Sequence, residues 1–95
     1  MDTQNPKIAE VVIDDTETIV GVGSKVTLFN DHVHTFEEVT NQIVAAIRCS
    51  EKEAFKLAYM VDRNGSAVVF QGDVQKCVDV SSILGNIGLH TEITM

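Results

Sequence analysis

The sequence predicts an α+β sandwich, a three-stranded antiparallel sheet packed against three helices in the order β-α-α-β-α-β. Three observations predict it. Short alternating or β-branched runs occur at residues 25–29, 67–70 and 89–93. Between them, apolar residues recur three and four apart, the period of a helix with one buried face. Thr35 with Glu38, and Ser50 with Glu53, have the spacing at which a hydroxyl and a carboxylate satisfy the free N–H groups of a helix start.

In chain order, residues 1–23 hold Pro6, several acids, Gly21 and Gly23, and read as a flexible N-terminal extension; residues 24–95 are expected to form the folded domain. In the first strand, Val26 and Leu28 share one face while Thr27 and Phe29 share the other. Phe36, Val39, Ile43 and Ile47 then mark a first helix, expected to end near Arg48. Ala54, Leu57, Ala58 and Val61 mark a second, closed at Asn64-Gly65 because glycine accepts the left-handed conformation of a C-terminal cap. Ala67 to Phe70, bounded by Gly65 and Gly72, reads as a second core strand. Asp73 can cap a third helix, whose expected stripe is Val74, Cys77, Val78, Ser81 and Leu84, with Gly88 ending it. The last strand should expose His90 and Glu92 and bury Leu89, Thr91 and Ile93.

The 95 residues suffice for one modest core. Fourteen acidic against seven basic residues give a net charge of −7, which disfavours nucleic acid and anionic membrane as partners and favours a cationic one. No apolar run approaches the roughly 20 residues that cross a bilayer, and no signal peptide is read at the start, so a cytoplasmic location is expected. Cys49 and Cys77, without a Cys-x-x-Cys pair, are expected to be reduced.

Catalytic equipment is missing from the pattern. There is no nucleophile elbow, no glycine-rich phosphate loop and no His-Glu-x-x-His, and Cys77 falls on an apolar stripe where a thiol is inert, so no enzyme is expected and no cofactor. Asp31, His32 and His34 offer three metal-ligand types in one loop, too few without a cysteine pair, and no metal is expected. More informative are Asn30 and Asp31 at the end of the first strand and Asp62 near the end of the second helix. A sandwich can bring these ends together beside Phe36, Val39, Ala58 and Val61, giving a polar rim over an apolar hole, suited to an ammonium group next to a hydrophobic side chain. The plain alternative is a turn made by Asn30 and Asp31 and a helix end solvated by Asp62.

Lys25-Val26-Thr27-Leu28-Phe29-Asn30-Asp31 resembles the strand and Asn-Asp corner of the ClpS adaptor family. The spaced Ala58, Val61, Gly65 and Ala67 are similar to its helix end and following strand, and Lys76 with Gly88-Leu89 to its third helix and final turn; the likeness runs from about Lys25 to Ile93. The resemblance implies an adaptor that captures proteins beginning with Leu, Phe, Tyr or Trp, known as N-degrons, and hands them to the AAA+ unfoldase ClpA of the ClpAP protease. It implies that Asn30, Asp31, His32 and Asp62 surround the α-amino group, that Phe36, Val39, Ala58 and Val61 wall the hydrophobic pocket, that Lys76 meets the partner, and that residues 1–23 engage the unfoldase. Five positions depart from the family pattern: Asp62 stands for the usual histidine, Phe36 for the usual methionine, His32 where a second aspartate is common, His34 for a small loop residue, and Val74 for an acidic one. The rival reading is a domain of this fold that binds or regulates an unfoldase without binding N-degrons.

Overall fold

The structure, a computed structural model, describes residues 23–95. The extension expected over residues 1–23 therefore falls, but for Gly23, outside the described residues. The elements are β1 (Ser24–Phe29), α1 (Phe36–Ile47), α2 (Glu51–Asn64), β2 (Ser66–Gly72), α3 (Val74–Gly85) and β3 (His90–Thr94), the order expected from the sequence.

Each helix begins where a side chain can take up its first free N–H groups. At α1, Thr35 Oγ1 accepts from Glu38 N (3.1 Å) and Glu38 Oε1 accepts from Thr35 N (2.8 Å), a capping box closed in both directions. Ser50 Oγ accepts from Glu53 N at α2, and Asp73 Oδ1 from Lys76 N at α3. Arg48 (φ 57°) and Gly65 (φ 86°) end α1 and α2 in the left-handed conformation, their N–H groups donating back to the carbonyls of Val44 and Val61. At Gly65 the missing Cβ makes this conformation cheap. Arg48 adopts it despite its side chain, which lets α2 start after only Cys49 and Ser50.

The sheet order is β2-β1-β3, with both pairings antiparallel. β1 is thus the central strand, and Val26 and Leu28 on its inner face are fully buried with Ile43, Cys77 and Leu84 from the helices. α3 lies across all three strands, α2 meets β2, and α1 packs on α2 and α3. Cys49 is half-buried, and both cysteines are free.

One expectation needs correction, the apolar stripe of α3. The run 67–70 forms a core strand as expected, with Val69 buried and Ala67 and Phe70 packed against the core, while Val68 is exposed on a strand that, among the described residues, is an edge of the sheet. The register slips so that Val26 pairs with Phe70 and Thr27 with Val68, leaving Val69 as the extra residue of a β-bulge. On α3 the buried face is Cys77, Val80 and Leu84, while Val74 and Val78 are 41 % and 45 % exposed. Hydrophobicity alone counted valines on both sides of this helix, and the sheet selects the side that includes Val80. Ser81, also on the expected stripe, is half-buried and hydrogen-bonded to Thr91 of β3.

Candidate functional site

The corner after β1 is built from its own backbone outward. The N–H of Asn30 donates to the carbonyl of Gly65 at 2.9 Å, so the end of β1 is fastened to the cap of α2, three residues beyond Asp62. The corner after β1 and the tail of α2 are neighbours for this reason. Asp31 then folds its carboxylate back over the loop: Oδ1 accepts from Val33 N (3.0 Å) and His34 N (2.9 Å), and Oδ2 lies 2.8 Å from His34 Nδ1. A short acidic side chain that takes N–H groups two and three residues ahead makes a turn leading into the cap at Thr35. His34 reaches in the other direction too, its Nε2 meeting the carbonyl oxygen of Ile87 between α3 and β3.

These contacts set the electrostatics. The backbone N–H of His34, followed by its ring, holds the Asp31 carboxyl below its ordinary value. Asp31 in turn, then the Ile87 carbonyl, holds the His34 imidazole above its own. The corner therefore carries a carboxylate with fixed orientation, and a carboxylate has acceptor positions beyond the three bonds it makes here.

Of the other residues singled out from the sequence, Asn30, His32 and Asp62 are exposed. Val39 is half-buried against the core, and Ala58 and Val61 are only 2 % exposed. The latter two belong to the core on the inner face of α2, so they are not open pocket walls in this structure. Lys76 is exposed on the first turn of α3, and only its backbone N–H takes part in the cap. Among the described residues no group of three or more His, Cys, Asp and Glu is arranged to hold a metal ion.

Phe36 is 37 % exposed, and its ring meets Phe55 of α2 edge to face, with centroids 4.9 Å apart at 69°. Thr40 steadies the turn that carries it, donating its hydroxyl to the Phe36 carbonyl at 2.9 Å. Phe36 and Phe55 line an open groove of about 500 Å³ with Glu37, Thr40, Asn41, Glu51 and Lys52; no other site residue named from the sequence lines it. Phe55 and the bridging role of His34 were missed by sequence reasoning. An aromatic off the buried stripe of α2 was a usable signal for the first; the second depends on a contact across 53 positions of chain.

Known proteins are similar to this chain. ClpS2 of Agrobacterium tumefaciens, in a structure bound to L-phenylalaninamide, is similar with a TM-score of 0.72 and 25 % identity, over 78 % of this chain and 96 % of that one. The E3 ubiquitin-protein ligase UBR2 of Homo sapiens is 44 % identical over 57 residues, 60 % of this chain, and UBR1 of Drosophila melanogaster is 34 % identical over 50 residues, 53 % of this chain. This chain spans 3 % of the length of each ligase. The family model described as the ATP-dependent Clp protease adaptor protein ClpS matches residues 23–88. Since that match takes in β1, the Asn30 corner, both ends of α2 and the turn that His34 reaches, the chain belongs to the ClpS family.

Proposed function

We propose that this domain is an N-degron recognition module, which takes the first residue of a substrate protein at the junction of the Asn30-Asp31 corner and the α2 tail. Asn30, Asp31, His32 and Asp62 surround the α-amino group, and Phe36 and Val39 with Ala58 and Val61 beneath receive the hydrophobic side chain. An ammonium ion gains charge-assisted hydrogen bonds from such a rim, and an apolar side chain gains from leaving water beside it. The observation that supports the reading is the backbone bond from Asn30 to Gly65, which holds the two rim-bearing segments side by side in a chain of the ClpS family.

In this reading the domain performs no chemistry. It is a cytoplasmic adaptor that passes its substrate to ClpA, with Lys76 on the partner face and residues 1–23 engaging the unfoldase. Peptides that begin with Leu, Phe, Tyr or Trp are expected to bind, and the same peptides N-acetylated are expected not to. Equal binding of both forms, or binding of neither, overturns the pocket. Co-purification with ClpA tests delivery separately.

A second reading of delivery rests on the sequence relatives, which are ubiquitin ligases. The same recognition step then serves ubiquitin transfer in place of ClpA. Peptide capture without ClpA association favours it.

A further inference from the structure

His34 meets two acceptors at once. Its Nδ1 lies 2.8 Å from Asp31 Oδ2, and its Nε2 is hydrogen-bonded to the Ile87 carbonyl oxygen. A carboxylate and a carbonyl have no proton to give, and a neutral imidazole has one N–H, so a neutral ring satisfies one of these partners and leaves the other facing a lone pair. An imidazolium satisfies both. The ring is held in place for this, with 12 % of the side chain exposed. Among the described residues, the charged and polar groups facing it are Asp31 from its own loop, Glu38 from the first turn of α1 and the Ile87 carbonyl from the turn between α3 and β3. Gly88, at φ 89°, carries that turn beneath the ring, where a Cβ would come within 3.8 Å of His34 Cε1.

We propose that His34 is a positioning residue: as an imidazolium it clamps the Asn30-Asp31 corner to the turn between α3 and β3, so the geometry of the corner depends on one proton. What the corner binds rests on the function proposed above; the clamp does not. A partner-raised histidine keeps its contribution at pH values below its ordinary titration and loses it as pH rises through the raised value. Asp31, being depressed, keeps its contribution above its ordinary value and loses it as pH falls through the lowered one. The clamp is therefore closed between the two folded-state values and opens at either end.

Two measurements test it. In the free protein, NMR of the His34 ring is expected to show protons on both nitrogens and a midpoint above that of an ordinary histidine, with the amide signals of Val33, His34 and Gly88 moving at the same midpoint. Binding of a peptide beginning with Phe is then compared across the same pH range in wild type and His34→Gln. Ionisation of the peptide amine is common to both proteins, so it cancels. Wild-type affinity is expected to fall about tenfold more than that of the variant as pH rises through the His34 midpoint, the scale of one hydrogen bond to a charged group. Superimposable pH profiles overturn the coupling while leaving peptide capture intact. If neither protein binds peptide, the adaptor reading falls and the clamp is decided by the ring: shared midpoints sustain it, and an ordinary midpoint with unmoved amides overturns it. The wild-type titration decides it equally if His34→Gln does not fold.

Discussion

The two sides of the proposed site are built differently. On the loop side, Asp31 is oriented by two backbone N–H groups and the His34 ring, and the next residues run straight into a closed capping box. On the helix side, Asp62 projects from an exposed face of α2, while Ala58 and Val61 on the same helix are absorbed into the core. One charge is fixed by its neighbours before any ligand arrives; the other, among the described residues, is placed by the helix that carries it. Fixed groups bind without a fresh ordering cost, so the loop should dominate affinity and the helix should tune it.

The largest effect is expected beneath both sides. Leu28→Ala removes a fully buried side chain from the strand that leads into the corner, and should lower unfolding stability by about 2–5 kcal/mol in a denaturant titration. Next comes a direct break of the comparison. Asp31→Ala should weaken binding of a peptide beginning with Phe by roughly 10–100-fold, since it removes a charged acceptor that also shapes the loop. Asp62→Ala should cost less than about fivefold, as for an exposed ion pair, and Asp62→His should retain or improve capture. A larger loss at position 62 than at 31, read by calorimetry, reverses the comparison.

Smaller effects sharpen it through the backbone. Gly65→Ala meets no atom within 4 Å but must adopt φ 86°, so the α2 tail should lose about 1–2 kcal/mol by thermal or chemical unfolding. Thr35→Ala removes one half of the capping box and should cost about 1 kcal/mol.

What the sequence made legible was local. Thr35 with Glu38, Asp73 before Val74, and Gly65 each act within four residues of chain, and each does in the structure what its spacing implies; at Ser50 with Glu53 only the hydroxyl half forms, Ser50 accepting from Glu53 N without a reciprocal bond from the Glu53 carboxylate among the described residues. The same holds for β1, where alternation placed Val26 and Leu28 inward. Errors arise where a neighbour distant in sequence decides the outcome. Val74 and Val78 are as apolar as Val80, and only the sheet against α3 distinguishes them. Val68 and Val69 are identical in kind, and the bulge with the edge position of β2 separates their fates. For the site, residue types at the corner were readable, and family likeness supplied their proposed roles. The Phe36–Phe55 contact and the reach of His34 to Ile87 were not readable, because both join elements that no periodicity connects.

The bond from Asn30 to the Gly65 carbonyl has a consequence for how such domains can change. The stop of α2 acts as the datum from which the corner is located, so one residue added to α2 before Gly65 would turn the cap by about 100° around the helix axis. The corner would then lose its anchor although every residue in it was unaltered. Variation in length is accordingly better tolerated beyond β3 than between Ser50 and Gly65, whatever the side chains involved.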